Sequence, residues 1–198
     1  MDEKINWDEV YSGDAHWDIQ RESKHISILF QALTSNGSVL DAGCGNGRNL
    51  SAIAARGYSP FGVDISQQAL AKAKVTSPNA MLVCADLERL PFGDRAFDGI
   101  YAGYVLQHVD VTQAFAELCR VCKPGGKCLF VVLELTRHNV PCPYDVELSH
   151  HELIAALDPF FAICATSQDE YSEVDEYGPH LHQRAIILAE TKPMMETK

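Results

Sequence analysis

The sequence predicts an α/β protein with a parallel sheet covered by helices on both faces, which is a three-layer αβα arrangement. Short apolar segments of strand length alternate along the chain with segments that repeat apolar residues at helical spacing. Strands of a covered parallel sheet are apolar almost throughout, and helical crossovers join them. The 198 residues, 46% of them hydrophobic, are enough for one domain with a full core.

Five strands and three helices are predicted between residues 38 and 135. The strands lie in SVLDAG (38–43), YSPFGVD (58–64), AMLVCA (80–85), RAFDGIYAG (95–103) and KCLFVVLEL (127–135). The helices are NLSAIAARG (49–57), SQQALAKAK (66–74) and VTQAFAELCRVC (111–122). Gly57 is typical of a helix C-terminus, Ser66 is typical of an N-cap, and the turn KPGG (123–126) ends the third helix.

The flanking segments add two helices and two strands. ESKHISILFQAL (22–33) has helical spacing, and SHHELIAAL (149–157) predicts a helix with its first serine as the cap. FFAICATSQ (160–168) and QRAIILAE (183–190) predict two more strands. The acidic segment DEYSEVDEYGPHLH (169–182) is expected to be a solvated loop between them.

The composition limits the compartment and the partners. The amino terminus MDEKINWDE has no basic-then-apolar signal, and the longest apolar stretch, CLFVVL (128–133), is too short to cross a bilayer. A net charge of −11 opposes binding to nucleic acid and to anionic membranes. We therefore expect a cytoplasmic protein with reduced cysteines that acts on a small-molecule or protein substrate.

The segment LDAGCGNGRNL (40–50) places three glycines within five residues directly after a strand. A Walker phosphate loop needs Gly-Lys-Ser/Thr at its end, whereas Arg48 and Asn49 follow Gly47 here. A dinucleotide fingerprint needs a glycine at position 48, and Asp41 would repel its phosphates. The same carboxylate attracts a cation, so the segment favours a nucleotide with a sulfonium and an amino group in place of phosphates.

VLDAGCGNGR (39–48) resembles motif I of the class I S-adenosylmethionine-dependent methyltransferases. Four further segments are similar, in the same order, to later motifs of that family: FGVDIS (61–66), CADLERLPF (84–92), AFDGIYAGYVLQHV (96–109) and LCRVCKPGGKCLFV (118–131). The resemblance implies a Rossmann-like fold whose mostly parallel seven-stranded sheet has an antiparallel C-terminal strand. It also implies S-adenosylmethionine as the cofactor and methyl transfer to a small-molecule acceptor. One departure is Cys122, which stands where the family has leucine.

Carried over by position, the resemblance places the methionine part of the cofactor at the first and fourth strands. Gly43 and Gly45 would let the backbone approach it closely. Asp41 would lie near its ammonium group, directly or through water. The backbone around Ala102 would contact it from the fourth strand.

The resemblance places the adenosine part at the second and third strands. Asp64 would accept hydrogen bonds from the ribose diol, and Asp86 would accept one from the adenine amino group. Ile65 and Leu87 would lie on the two sides of the ring. Such a site lies at the carboxyl ends of the strands, where open parallel sheets bind ligands.

NWDEVYSGDAHWDIQRES (6–23) resembles the W-D-x-x-Y…W-D lead-in of small-molecule methyltransferases of the thiopurine and tellurite-resistance type. Trp7, Tyr11 and Trp17 could cover a sulfonium with their ring faces; the alternative is that they anchor this segment to the sheet. Arg21 could pair with the cofactor's carboxylate, or it could lie on the surface.

His108 is the candidate catalytic base, needed only if the acceptor must lose a proton. The strand-four motif places it beside the cofactor near a helix N-terminus, which would lower the imidazole pKa. The alternative is a local capping or packing role. Cys119 and Cys122 have the spacing of half a zinc site, but no second pair follows, so we expect no metal.

The alternative function is a non-catalytic protein that binds the cofactor as a sensor or as an activating partner of another methyltransferase. A NAD-dependent oxidoreductase is disfavoured because the third glycine of its fingerprint is missing. We expect a single domain, residues 1–198, as a monomer or homodimer. Its parts are an N-terminal cover and helix (1–36), a cofactor-binding core (37–135) and C-terminal strands with acceptor-side loops (136–198).

Overall fold

The computed structural model describes residues 5–13, 21–34, 36–137, 148–175 and 178–192. The helices in these ranges are α1 (Trp7–Ser12), α2 (Ile26–Ala32), α3 (Leu50–Ala55), α4 (Gln67–Thr76), α5 (Val111–Val121) and α6 (His150–Leu157), with a 3-10 turn at Leu106–His108. The strands are β1 (Ser38–Ala42), β2 (Ser59–Asp64), β3 (Met81–Cys84), β4 (Phe97–Gly103), β5 (Cys122–Arg137), β6 (Phe161–Asp175) and β7 (Gly178–Thr191).

The strands form one sheet in the order β3-β2-β1-β4-β5-β7-β6. Strands β1 to β5 pair in parallel, and β7 is antiparallel to both β5 and β6. The predicted seven-stranded, mostly parallel sheet with an antiparallel C-terminal strand is confirmed. Because the strand order reverses between β1 and β4, a crevice forms at the carboxyl ends of these two strands.

Two apolar clusters lie on opposite faces of the sheet. Phe130 and Val132 of β5 pack with α5 and α6 on one face, whereas Leu129 and Val131 pack with α2 and α3 on the other. All four side chains are fully buried, as a strand between two helical layers requires. The three-layer prediction is therefore confirmed.

The predicted helix ends are found with their expected chemistry. Ser66 accepts a hydrogen bond from the Ala69 amide at 3.1 Å and begins α4. Ser149 and Glu152 form a reciprocal capping box at the start of α6. Gly57, which follows α3, has a φ of +84°, a left-handed conformation that favours glycine.

The predicted KPGG turn is a bulge within β5 rather than a break before it. Phe97 of β4 pairs with Cys122, and Gly99 pairs with Lys127, so residues 123–126 loop out between the two pairs. The register between the two strands shifts here, because five residues of β5 span two residues of β4.

The predicted acidic loop at 169–182 is wrong. Strands β6 and β7 form a long hairpin that remains paired as far as Asp175 and Gly178. Cross-strand partners explain the difference, because Asp169 forms an ion pair with Arg184, the residue opposite it. Charge alone suggested solvation, whereas pairing across the hairpin satisfies this carboxylate.

Three properties hold over the part of the chain that is described. No helix there is long and apolar enough to cross a membrane. The six cysteines there are free thiols. No group of three or more His, Cys, Asp or Glu side chains there could hold a metal ion.

Candidate cofactor-binding site

A cleft opens at the carboxyl ends of β1, β2 and β4. Helix α1 and the segments that follow β3 and β4 form its other walls. It is lined by Ile5, Trp7, Tyr11, Gly43, Asp64, Ile65, Asp86, Leu87, Glu88, Tyr104, Val105, His108 and Val109. Six of the predicted site residues are in this lining: Gly43, Asp64, Ile65, Asp86, Leu87 and His108.

Asp64 is fixed at the end of β2 by two backbone amides. Its Oδ2 accepts a hydrogen bond from Gly45 at 2.8 Å, and its Oδ1 accepts one from Ser66 at 2.9 Å. The side chain is almost buried, and burial raises its pKa although the amide hydrogen bonds oppose this. A carboxylate has about four acceptor sites, so each oxygen can accept one more hydrogen bond. Two adjacent hydroxyl donors match this remaining capacity.

The wall after β3 combines a carboxylate with apolar surface. Asp86 accepts a hydrogen bond from the Glu88 amide at 3.0 Å, which holds the side chain in place. Leu87 is 3% exposed, whereas Ile65, at the end of β2, is 50% exposed. An isoleucine left so exposed in a cleft provides surface for a flat apolar ring.

Asp41 lies behind the cleft, on β1, and does not line it. It is 1% exposed, and burial raises its pKa to about 7, although a hydrogen bond from Asn49 and the charge of Arg48 act in the opposite direction. Its Oδ2 has no hydrogen-bond partner among the described residues. A buried carboxylate oxygen without a donor is unfavourable, and a cationic donor would relieve this cost.

Two glycines of the predicted motif are required by close contacts. Gly43 has a φ of +71°, and a Cβ there would lie 2.6 Å from the Val105 side chain. Gly45 has a φ of +52°, and a Cβ there would lie 2.6 Å from the Tyr11 hydroxyl. Ala102 is buried on β4 with its side chain in the core, so only backbone from this part of β4 faces the site.

Helix α1 covers the cleft with aromatic side chains. The Trp7 ring meets the His108 ring edge to face, with 4.9 Å between centroids. Tyr11 lines the cleft beside it. Trp17 lies outside the described residues. Arg21 is exposed and is not brought to the cleft, which agrees with the surface alternative for this residue.

His108 lies in the 3-10 turn after β4, at the wall of the cleft. Burial lowers its pKa to about 4. The expected cause was wrong, because α5 begins at Val111 and Asp110 caps its N-terminus. Helix dipole effects are confined to the first turn, and here a carboxylate takes up the terminal amides. His108 Nδ1 has no partner among the described residues.

Residues 40–130 match the family described as a methyltransferase domain. Over these residues the chain is similar to this family. The match begins within β1, one residue before Asp41, and ends within β5. It includes β2 to β4 and every described cleft residue except those of the N-terminal segment.

Several curated methyltransferases are similar in sequence. A malonyl-[acyl-carrier protein] O-methyltransferase of Buchnera aphidicola is 36% identical over 113 residues, 57% of this chain and 46% of the relative. A demethylmenaquinone methyltransferase of Tropheryma whipplei is 28% identical over 86% of this chain and 72% of the relative. A 2-phytyl-1,4-naphtoquinone methyltransferase of Nostoc punctiforme is 36% identical over 60% of this chain and 55% of the relative. The chain thus spans about half the length of two of these three relatives.

Solved methyltransferase structures share the fold. A SAM-dependent methyltransferase of Methanosarcina mazei has a TM-score of 0.72 at 20% identity, covering 87% of this chain and 99% of that one. Geranyl diphosphate C-methyltransferase of Streptomyces coelicolor has a TM-score of 0.64 at 15% identity, covering 83% of this chain and 74% of that one. At these identities the likeness concerns the fold.

Two residues near the cleft were missed by the sequence predictions. Arg184 of β7 is 4% exposed and reaches Tyr104, a cleft residue 80 positions earlier. Glu134, at the end of β5, is buried and bonded to His150 and Gln168. In the sequence, the only indication of these residues was a charged side chain beside an apolar strand segment. No local pattern pairs residues so far apart.

Proposed function

We propose that this protein is a methyltransferase, which binds S-adenosylmethionine in the cleft and transfers its methyl group to a small-molecule acceptor. One observation carries the proposal: the cleft brings Asp64 and Asp86, from the ends of neighbouring strands, beside the glycine turn that follows β1. The relatives named above, which are methyltransferases of small acceptors, support it.

The adenosine part would be held by β2 and the segment after β3. Asp64 would accept a hydrogen bond from each ribose hydroxyl. It would use the acceptor sites that the Gly45 and Ser66 amides leave open. Asp86 would accept a hydrogen bond from the adenine amino group, while Ile65 and Leu87 would lie on the two sides of the ring. Each of the two segments thus offers one carboxylate and one apolar side chain to the adenosine part.

The methionine part would extend over Gly43 toward Asp41. An ammonium group, directly or through one water, would supply the donor that Asp41 Oδ2 lacks. The left-handed backbone at Gly43 and Gly45 keeps side chains out of this approach. The residues present therefore fit the proposed cofactor at both of its ends.

The cofactor supplies an electrophilic methyl group bonded to a positively charged sulfur. The leaving group is a neutral thioether, which needs no protonation. The protein therefore contributes chiefly position and exclusion of water. Trp7 and Tyr11 form the cover on the open side of the cleft. Their ring faces also suit a cationic sulfur, because the faces carry partial negative charge.

His108 would accept a proton only from an acceptor that must lose one. With a pKa near 4 it is neutral at physiological pH and able to accept, but it is a weak base. Its role would thus be to orient an acceptor hydroxyl and stabilise a proton in transit. An acceptor that is already ionised needs no such group.

We also propose that the protein acts in the cytoplasm as a monomer or homodimer, away from membranes and nucleic acids. The net charge of −11 supports the last two points because it opposes binding to polyanions. Light scattering tests the oligomeric state, and gel-shift and liposome flotation experiments test the absent partners.

Calorimetry with S-adenosylhomocysteine tests the cofactor assignment, and we expect a dissociation constant in the micromolar range, typical of such ligands. If the protein bound neither S-adenosylhomocysteine nor S-adenosylmethionine, the proposal would be refuted. Methyl-labelled S-adenosylmethionine with a malonyl thioester, 1,4-naphthoquinol and a metabolite extract tests transfer. A protein that binds the cofactor but labels nothing in any mixture would instead be a sensor or an activating partner.

A further inference from the structure

Tyr104 and Arg184 meet over the end of the sheet, beside the cofactor cleft. Tyr104 follows β4 and lines the cleft, and its hydroxyl oxygen accepts a hydrogen bond from Arg184 Nη1 at 2.9 Å. Strand β5 lies between β4 and β7, so the two side chains must span about 10 Å of sheet to meet. Only long side chains can do this.

Arg184 is held rigidly in place. Its Nε and Nη2 donate to the two oxygens of Asp169, and its guanidinium lies 4.4 Å from the centre of the Tyr171 ring. The side chain is 4% exposed. A bidentate ion pair with an aromatic platform leaves Nη1 directed at Tyr104.

This arrangement decides which group Tyr104 can offer. Its oxygen accepts a hydrogen bond from Arg184, so its own hydroxyl proton is available to donate elsewhere. Tyr104 has a φ of +60°, which is uncommon for a residue with a side chain and is concentrated at functional sites. The backbone is therefore held in a costly conformation at the point where the hydroxyl meets Arg184.

Two arginines act on Tyr104 in a protein of net charge −11. Burial raises the pKa of Tyr104, the positive charges of Arg184 and Arg48 lower it, and the negative charge of Asp169 raises it. Arg48 lies half-buried and near Asp41 as well. A hydroxyl donor that is hydrogen-bonded to one guanidinium group, with a second arginine acting on it, suits an anion.

His25, which precedes α2, adds a second observation. It is 6% exposed, and its Nδ1 has no partner among the described residues. Burial lowers its pKa to about 4, and the charges of Arg184 and Lys24 act in the same direction. The ring is thus neutral at physiological pH and leaves a buried polar atom unsatisfied beside Arg184, as expected where a polar ligand completes the site.

We propose that Tyr104, positioned by Arg184, donates a hydrogen bond to a carboxylate of the methyl acceptor. This inference rests on the proposed function and names the acceptor class for the same cleft. The hairpin of β6 and β7 then acts in specificity, because it supplies both Arg184 and Asp169.

The test measures the binding of a small carboxylate, butyrate, to the protein saturated with S-adenosylhomocysteine. Tyrosine labelled with 13C at Cζ reports on Tyr104, and the Tyr104→Phe variant assigns the signal. Butyrate should shift this signal saturably at constant ionic strength, and the uncharged isostere butyramide should bind at least about tenfold more weakly. Arg184→Lys, which keeps the charge but loses the fork, should weaken butyrate binding with cofactor affinity retained.

Controls separate this inference from the proposed function. Tyr58→Phe removes a hydroxyl from a tyrosine that stacks on Phe30 away from the cleft, and it should leave butyrate binding unchanged. Butyrate and butyramide shifting the signal equally, or neither shifting it, would overturn the inference. A shift seen only without S-adenosylhomocysteine would also overturn it, since the anion would then occupy the place of the cofactor's own carboxylate. Loss of S-adenosylhomocysteine binding in the unmodified protein would count against the proposed function instead.

Discussion

Asp8 of α1 accepts a hydrogen bond from Ser66, the residue that caps α4, with 2.8 Å between Asp8 Oδ1 and Ser66 Oγ. The same oxygen accepts the Gln68 amide at 3.1 Å. These bonds lower the pKa of Asp8. They join α1, which carries Trp7 and Tyr11, to the helix that follows β2. The cover of the cleft is thus attached to the core through a helix N-terminus.

Replacing Asp8 should weaken cofactor binding although Asp8 does not line the cleft. Asp8→Ala removes both bonds to α4, so a larger fraction of molecules would have α1 detached. We expect the dissociation constant for S-adenosylhomocysteine to rise about 3- to 10-fold, which corresponds to the roughly 0.5–1.5 kcal/mol of a typical hydrogen bond, because Asp8 is exposed to solvent. Calorimetry measures this. Glu9→Ala, the exposed neighbour, is the control, and equal effects of both variants would contradict a specific role for Asp8.

Asp64 should be the most sensitive carboxylate for cofactor affinity. Asp64→Ala would remove two acceptor oxygens and leave the Gly45 and Ser66 amides without their partner, so we expect at least about 100-fold weaker binding. Asp64→Asn should also fail, because its NH2 group would face one of those amide donors. If either variant bound S-adenosylhomocysteine as tightly as the unmodified protein, the ribose assignment would be wrong.

Asp41 should make cofactor binding release protons. Its pKa is raised to about 7 in the free protein, and a bound ammonium group would lower it. At pH 7 we therefore expect release of about half a proton per ligand, and affinity that rises between pH 6 and 8. Binding enthalpies in buffers of different ionisation heat measure the release. Asp41→Asn should abolish it, and an unchanged release would assign the proton to another group.

The same pKa predicts how Asp41 affects stability. The folded protein holds this proton up to about pH 7, whereas the unfolded chain loses it near 3.8, so ionisation of Asp41 costs stability as pH rises through that interval. Asp41→Asn should therefore gain stability relative to the unmodified protein as pH increases from 4 to 7. Urea unfolding at several pH values measures the difference. A constant difference across the interval would contradict the raised pKa.

Arg120 should stabilise the adenine-side wall from behind. It donates to both oxygens of Glu117 and to the carbonyls of Leu90 and Phe92, and Glu117 accepts the Leu90 amide. We expect Arg120→Met to cost about 1–3 kcal/mol of unfolding free energy and to weaken cofactor binding, since Asp86 and Leu87 begin the same segment. Urea unfolding and calorimetry measure the two effects. Arg89→Met, at an exposed site of that segment, should change neither.

His108 should affect turnover more than affinity. His108→Ala should lower kcat with the acceptor and leave S-adenosylhomocysteine binding within about twofold, because the ring lies at the wall and contributes no charge at neutral pH. The pH profile is diagnostic. A base with a pKa near 4 leaves kcat flat between pH 5.5 and 8, whereas an acid limb near 6.5 that disappears in the variant would place the His108 pKa in the ordinary range.

Local sequence chemistry predicted most of the elements and the cofactor side of the cleft. Ser66, Gly57 and Ser149 act through neighbours within a few residues, so their caps and turns depend on nearby backbone alone. Asp64 and Asp86 follow strands directly, and parallel strands end at one edge of a sheet. Their meeting in one cleft therefore follows from the order of elements.

The residues of the proposed acceptor side are brought together only by tertiary structure. The acidic segment after Gln168 has the composition of a solvated loop, yet Asp169 lies opposite Arg184 in a hairpin and the pair is held beside Tyr104. The pKa of His108 likewise follows from burial rather than from the helix that the sequence placed nearby.

The sequence by itself determined the order of strands and helices, the glycine turn and the carboxylates at the strand ends, because each depends on residues close together in the chain. Only the tertiary structure decided which distant side chains share a buried space. Charge pairing across β6 and β7, and the desolvation of Asp41, His25 and His108, exist only once the sheet is assembled. Those contacts set the polarity of the acceptor side, since desolvation and ion pairing are properties of the packed molecule.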